Sequence, residues 1–373
     1  MFTVKTLNKI AKVGLDRLDE TYFQKDDQAA DPSAIIVRSA SMQEYEIGPA
    51  LLCVARAGAG YNNIPVDRFA QAGVVVFNTP GANANAVKEL AVCALILASR
   101  DVLGGIAWCK TIADQGDQVA ALVEKGKSAF VGPEIMGKTL GLIGLGAVGA
   151  KVAKAAAALG MTVVGCDPFL SDALKAELKG VVEMLPDQKT LFQRSDYISL
   201  HLPYNADTKN TIRAETIAQM KEGVRIINIA RGELVCDGDM AAALASGRVA
   251  RYVTDFPNGE TVKMAGCVAI PHLGASTPES EDNCAVMAAQ QVSEYLLQGN
   301  IVNSVNLPNI RMDRAGAHRA VVIARADAEV ALKGAATAEK TRGAYRVLLA
   351  DSDAPFDQAA LEKLPGVLKV RTL

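Results

Sequence analysis

Short runs of apolar residues, each closed by a charged or turn-forming residue, recur along the first part of the chain: AIIVR at 34–38, ALLCVAR at 50–56 and VVVF at 74–77. Runs of that length, rich in Val and Ile, read as strands covered on both faces, the usual state in a parallel sheet. Residues 64–71 (IPVDRFAQ) supply a short helix between the last two, so the chain opens as an α/β unit. Helix-forming residues then fill 84–100, with Asn83 placed to cap them. After a polar, glycine-containing stretch a second strand series begins with Thr139–Ile143, Thr162–Cys166 and Tyr197–Leu200 and continues at 225–229 and 252–255. Helical segments such as 151–159 separate these strands, and strand alternating with helix predicts a doubly wound parallel sheet.

A long helical pattern returns at 277–298, stops at Gly299, and gives way to an extended run at 302–307. Its expected place is back on the first α/β unit. The predicted organisation is therefore a discontinuous domain of 1–83 with 277–308, a central domain of 84–276, and a small module at 314–373. That module shows two strand-like runs (AVVIAR and YRVLLA), a helix at 356–364 and a last strand at 367–370.

Composition narrows the function. With 39 basic and 41 acidic residues, half the chain apolar and 21% charged, no field draws it to nucleic acid or an anionic membrane. A small-molecule partner, no nucleic acid and no membrane are expected. Seven scattered cysteines without a Cys-x-x-Cys pair read as reduced core residues, and a cytoplasmic location is expected. No metal site is expected.

The strand TLGLI runs into Gly144-Leu-Gly146-Ala147-Val148-Gly149 and then a helix, with Asp167 ending the next strand about twenty residues on. The first glycine permits a tight turn, the second lets backbone approach a pyrophosphate, and the third lets strand and helix pack closely. Phosphates then sit on the helix N-terminus, at Ala147 and Val148, where free N–H groups and the helix dipole favour negative charge. Asp167 would accept hydrogen bonds from ribose hydroxyls and repel a 2′-phosphate. The pattern selects NAD over NADP.

Hydride transfer from an alcohol also needs a base for the hydroxyl proton and a cation for the substrate's carboxylate. Of the three histidines, His318 lies in the C-terminal module and His201 follows a central strand in SLHLP. His272, in AIPHLGAST, is the better base, because the turn behind it puts the ring at the end of the sheet, where open α/β folds bind ligands. Glu260 in DFPNGE is available to steady that ring, and Arg231, just past RIINIA, suits bidentate carboxylate binding. Each also has a purely structural reading, as a capping histidine, a loop charge and a surface ion pair.

These strings, GKTLGLIGLGAVG, SLHLPYNADTKNTI, INIARGELVCDGDMAAAL, TDFPNGE and IPHLGAST, resemble the D-isomer-specific 2-hydroxyacid dehydrogenase family from about residue 34 to 308. The resemblance implies a Rossmann-type NAD domain, a flavodoxin-like substrate domain, and catalytic roles for Arg231, Glu260 and His272. It implies that Asp255 holds the nicotinamide amide with Ala230, His272 and Gly274 beside the cofactor, and that His201, Pro203 and Thr208 line the adenosine side. It places Ala57, Gly58 and Gly60 in a substrate loop whose backbone N–H groups take the carboxylate, and Asn83 at the family's interdomain cleft. Arg38, in VRSAS, matches an arginine facing the substrate in members that act on 3-phosphoglycerate, and a homodimer or homotetramer is the family pattern.

The tail strings GAYRVLLADSDAP and LEKLPGVLKVRTL resemble the closing half of a small α+β ACT regulatory domain. Too few residues separate AVVIAR from GAYRVLL for that domain's first helix plus a second strand, and no Pro-Gly follows the first strand, where such domains hold serine. A shortened module without serine control is expected. Two alternatives remain open from sequence: a glyoxylate or hydroxypyruvate reductase of the same family, and a dinucleotide-sensing binding protein without catalysis.

Overall fold

In a computed structural model, which describes residues 1–334 and 336–373, a strand precedes the first apolar run: β1 (Phe2–Leu7). A single turn α1 (Lys12–Leu15), then β2 (Phe23–Lys25), β3 (Ala34–Val37), β4 (Cys53–Arg56), α2 (Val66–Gln71) and β5 (Val75–Phe77) follow. The five strands are parallel in the order β2-β1-β3-β4-β5, the flavodoxin-like order, whose switch point lies between β1 and β3.

The central series begins with α3 (Ala84–Ser99), α4 (Val102–Thr111) and α5 (Val119–Gly126). It continues through β6 (Thr139–Ile143), α6 (Ala147–Ala158), β7 (Thr162–Cys166), α7 (Asp172–Glu177), β8 (Glu183–Met184), α8 (Gln188–Arg194), β9 (Tyr197–Leu200) and α9 (Ala214–Ile217). It ends with β10 (Val224–Asn228), α10 (Asp237–Ala245), β11 (Val249–Thr254) and β12 (Cys267–Ala269). All seven strands are parallel, in the order β12-β11-β10-β9-β6-β7-β8, so the direction of winding reverses between β6 and β9. Alternate residues divide between faces. Leu140, Leu142, Val163 and Ile227 join α3 and α6 in one core, whereas Ile143, Val164, Ile198 and Ile226 join α8, α9 and α10 in the other. Each such fully buried aliphatic side chain contributes ~1.5–3 kcal/mol relative to an exposed one.

The chain returns through α11 (Pro278–Gln298) to β13 (His318–Arg325), β14 (Ala336–Arg342), β15 (Tyr345–Ser352), α12 (Gln358–Glu362) and β16 (Val367–Thr372). These last strands form an antiparallel sheet, β14-β15-β13-β16. By contact the chain divides into two units, Met1–Asn83 with Pro278–Leu373, and Ala84–Thr277. The tail sheet lies inside the first unit: Val321, Ile323, Val347 and Leu349 share one apolar core with Val4, Ile36, Cys53, Phe77 and the α11 residues Ala288 and Tyr295. A buried ion pair reinforces the joint. Arg319 on β13 donates to both carboxylate oxygens of Asp351 on β15, at 2.6 and 2.7 Å, and to the carbonyls of Gln298, Met312 and Asp313.

Three expectations change. The tail has four strands rather than the three read from its apolar runs: β14 fills part of the segment between the first two runs, which was too short for a helix plus a strand and holds no helix among the described residues. The polar stretch after α3 is helical, in α4 and α5, and no residue of either is buried, so no core-facing stripe marked them. Of the cysteines expected in the core, Cys53, Cys166 and Cys284 are buried but Cys93 and Cys109 are exposed.

Among the described residues no single helix is long and apolar enough to cross a membrane; α3 and α4 reach that length only together and bend by 66° where they meet.

Candidate active site

The glycine turn sits at the switch point of the seven-stranded sheet, between β6 and α6 and beside the residues that follow β9. Gly144 has φ +91, and a Cβ there would lie 2.6 Å from the carbonyl oxygen of His201. A Cβ on Gly149 would overlap the carbonyl oxygen of Gly144, so the third glycine is what lets α6 approach the strand. At Gly146 the space a Cβ would fill is open. Gly146 caps α6 without a side-chain hydrogen bond, and Ala147 is exposed with Val148 half-buried behind it. A bare backbone surface at the free N-terminus of a twelve-residue helix fits a pyrophosphate.

Asp167 follows β7 as the spacing predicts, and it carries a duty the sequence does not reveal. Its Oδ2 accepts from the N–H of Leu145 at 2.8 Å and its Oδ1 from Phe169 N–H at 2.9 Å. The carboxylate thus ties the glycine turn to the next strand and still has lone pairs for hydroxyl donors. His201 Nε2 lies 3.0 Å from the Ser199 hydroxyl, and desolvation pushes its imidazole down to a pKa of about 4, so it is neutral near pH 7. Thr208 donates through its hydroxyl to the Pro203 carbonyl at 2.7 Å, closing the loop between them.

Beyond β10 and β11 the remaining groups gather around one side chain that sequence reasoning missed. Phe256 packs against the His272 ring at 4.6 Å between centroids and lies 5.7 Å from the Arg231 guanidinium carbon, so one ring spaces both. Arg231 is aimed by a second unforeseen residue, the fully buried Asn228. Its Nδ2 donates to the Arg231 carbonyl at 2.8 Å, and its Oδ1 accepts from the N–H groups of Ala230 and Arg231. The guanidinium donates to the Ala230 carbonyl at 2.6 Å.

His272 is exposed and has φ +44, a left-handed conformation that costs a residue other than glycine of order 1 kcal/mol. Its N–H is shared between the carbonyls of Asp255, at 3.0 Å, and Ile270, at 2.9 Å. Asp255 is 1% exposed; its Oδ2 accepts from Gly274 N–H at 2.9 Å, while Oδ1 is buried with no hydrogen-bond partner. Burial pushes this carboxyl up from the usual range, against the pull of the Gly274 N–H and of His272 and Arg231. An orphaned buried oxygen at the edge of a pocket of about 620 Å³, lined by Gly232, Asp255, Phe256, Asn258 and His272 among others, fits a bound group that donates to it.

The expected pairing of Glu260 with His272 is not made. The Glu260 side chain is 73% exposed and has Lys263 as its nearest cation, at 3.9 Å. Asn258 is the physical reason: its Oδ1 accepts from the N–H groups of Glu260 and Thr261, forming a turn whose glutamate side chain stays in water.

In the first unit, the loop after β4 keeps two of its three candidate N–H groups for itself. Ala57 N–H donates to the Val37 carbonyl at 2.8 Å and Gly58 N–H to the Arg56 carbonyl at 2.9 Å, leaving Gly60 as the one of the three without such a bond among the described residues. Gly58 has φ +146 and lies under the Arg56 guanidinium, where a Cβ would overlap it. Arg38 stands just past β3 at the same sheet edge and makes an ion pair with Glu281 of α11 at 2.7 Å. Asn83, half-buried, directly precedes α3.

The chain is similar to proteins of known name. Residues 105–274 match the family described as D-isomer specific 2-hydroxyacid dehydrogenase, NAD binding domain. The D-3-phosphoglycerate dehydrogenase of Methanocaldococcus jannaschii is 32% identical over 77% of this chain and 54% of its own length, and that of Bacillus subtilis 32% over 84% and 60%. The Mycobacterium tuberculosis enzyme of the same name is 36% identical over 74% and 52%. The chain thus spans about half the length of the curated relatives it matches. Among solved structures, the NAD+-bound 3-phosphoglycerate dehydrogenase of Entamoeba histolytica is 26% identical, with a TM-score of 0.61 over 82% of this chain and 98% of that one. The apo D-mandelate dehydrogenase of Rhodotorula graminis, 24% identical, shares the fold with a TM-score of 0.68 over 81% and 97%.

Proposed function

We propose that the chain is a D-isomer-specific 2-hydroxyacid dehydrogenase, the family whose NAD-binding domain it matches, and that it oxidises D-3-phosphoglycerate to 3-phosphohydroxypyruvate with NAD, the opening reaction of serine biosynthesis. The observation that carries the reading is the arrangement around Phe256: a guanidinium and an imidazole spaced by one ring, beside a pocket that also holds the unpartnered Asp255 oxygen.

The chemistry that bound NAD supplies is hydride acceptance. Gly144 to Gly149, with Ala147 and Val148 at the helix start, would hold its pyrophosphate, Asp167 its ribose, and Asp255 Oδ1 its amide N–H. His272 takes the proton from the C2 hydroxyl, and Arg231 holds the carboxylate and steadies the developing carbonyl. Glu260 supports the imidazolium once its side chain leaves Lys263 and turns onto the ring. Arg38 and the Gly60 N–H serve the substrate's anionic groups.

The exposed apolar residues Val102, Leu103 and Ile106 of α4 support a homodimer or larger oligomer, and seven free cysteines suit the reducing cytoplasm. The tail is read as an ACT-like module without serine control, because no helix joins β13 to β14 among the described residues. One observation favours a second reading. Arg38 is already neutralised by Glu281, which suits a hydroxypyruvate or glyoxylate reductase whose substrate lacks phosphate.

Initial rates of NADH formation with a panel of 2-hydroxyacids, repeated with serine, decide between these. His272→Ala should lower turnover about 10²–10⁴-fold and leave the Kd for NAD nearly unchanged; unchanged turnover would remove His272 from the chemistry. Absence of NADH formation with every acid would restore a dinucleotide-sensing role.

A further inference from the structure

The loop carrying Arg38 is fixed from two sides. Asn8, at the end of β1 with φ +80, accepts through its side chain from the N–H groups of Ser39 and Ala40, at 3.1 and 2.7 Å. Asn63 donates from its side chain to the Ala40 carbonyl at 2.8 Å. Val37 pairs directly with Arg56 across β3 and β4, so the base of Arg38 is set beside the loop containing Gly58 and Gly60. All of this lies at the C-terminal edge of a sheet in the 2-1-3-4-5 order, next to its switch point, where such sheets receive ligands.

What the backbone leaves undetermined is the partner of the guanidinium. Glu281 supplies one. It stands in the first turn of α11, and its Oε1 is 2.7 Å from Arg38 Nη1, with both side chains partly exposed at 38% and 44%. An arginine fork binds a carboxylate or a phosphate with the same donors, so an incoming anion and Glu281 ask for the same N–H groups.

We infer that Glu281 is a specificity-determining residue that competes with the substrate's distal anionic group for Arg38. The inference rests on the phosphoglycerate reading of the site and adds to it a residue of this chain. An anion that displaces Glu281 gains the arginine, loses the existing pair and then faces a released carboxylate. A substrate without a distal anion leaves the pair intact and is indifferent to it.

The test compares wild type with Glu281→Gln in NADH oxidation with 3-phosphohydroxypyruvate and with hydroxypyruvate, with Glu279→Gln as the control that removes a charge from the same helical turn. Glutamine keeps the length and polarity of the side chain, and the site is exposed, so the variant should fold as the wild type does. Glu281→Gln should lower KM for the phosphorylated keto acid about three- to fivefold, the upper part of what an exposed ion pair is worth, with kcat and the KM for hydroxypyruvate unchanged. Glu279→Gln should move neither by more than a fraction of that. Equal changes for both keto acids, no change for either, or the same effect from Glu279→Gln would overturn the inference. If wild type reduces hydroxypyruvate but not its phosphorylated form, the substrate reading fails separately. Inorganic phosphate then serves as the competitive inhibitor: a three- to fivefold lower inhibition constant in Glu281→Gln sustains the competition, and an unchanged constant ends it.

Discussion

The N–H of His272 donates to the carbonyl oxygen of Asp255 at 3.0 Å, so the backbone of one buried acid sets the position of the exposed imidazole. Two residues further on, Gly274 N–H closes on the Asp255 carboxylate at 2.9 Å. The acid therefore holds the histidine turn at both ends while its other oxygen stays unpartnered.

That division of labour predicts the behaviour of Asp255→Asn. The amide oxygen can still accept from Gly274, and the buried charge is gone. Because burial raises the folded-state pKa of Asp255, the ionised form opposes folding, a penalty that is absent below the unfolded pKa and grows as pH rises through the folded value. At pH 7 the variant should be as stable as wild type or more so, by up to about 1 kcal/mol in urea denaturation, with weakened NAD binding in a fluorescence titration. A loss of stability at unchanged NAD affinity would contradict this account of the orphaned oxygen.

The glycines of the cofactor turn should separate by experiment. Gly149→Ala forces a Cβ into the Gly144 carbonyl and should cost about 1–3 kcal/mol of stability, read as a fall in Tm. Gly146→Ala points into open space and should leave Tm within a degree or two of wild type while weakening NAD binding at least tenfold. Equal effects of the two changes on Tm would mean that the open face at Gly146 is not the cofactor's seat.

His201 supplies a pH prediction. Its folded pKa of about 4 lies below the unfolded value of 6.5, so the unfolded chain binds the proton first as pH falls. Stability should then be full above pH 6.5 and decline toward pH 4, by at most about 3 kcal/mol. His201→Gln should flatten that part of the Tm profile. An unaltered acid limb would assign it to other groups.

In the tail, Asp351 is pushed upward by burial, but the hydrogen bonds from Arg319 and from Ala315 N–H outweigh that and hold it below the usual carboxylate range. The geometry, with both side chains fully buried, makes removal of one partner costly. Arg319→Ala should lose about 3–5 kcal/mol in equilibrium denaturation, since it strands a buried carboxylate and three carbonyls. The specific activity of the folded fraction should stay near that of wild type; a large drop there with normal stability would give the pair a part in the chemistry.

What could be read from the chain follows the apolar pattern closely. The inner strands of the central sheet are buried on both faces and wrote themselves as Val- and Ile-rich runs, as in Ile226 and Ile227, whereas the edge strands β8 and β12, exposed or only half-buried, did not. β1 was silent because of FTVKTL only Val4 is buried, although the strand lies inside its sheet. β14 was silent for a related reason: ATAEKTR is mostly exposed, and its extended form comes from pairing with β15 rather than from a core face. At the site, the positions of Arg231, His272 and Asp167 just past strand ends were legible from residue type and spacing. Asn228 and Phe256 were not, since an asparagine ending a strand and a phenylalanine after an aspartate announce nothing until the loops are folded together. Nor could sequence show that Ala57 and Gly58 spend their N–H groups on their own backbone.

The bond from Asp167 to Leu145 has a consequence for anyone wishing to change the coenzyme. The usual route to a phosphorylated dinucleotide is to replace the acid after the second strand with a neutral residue. In this chain the same carboxylate is also the clasp that keeps the glycine turn in place. A single exchange would admit the extra phosphate and slacken its binding loop in one stroke. On the proposed reading of Asp167 as the partner of the ribose, preference and affinity are wired to one side chain, and separating them requires a second substitution that gives the Leu145 N–H a new acceptor.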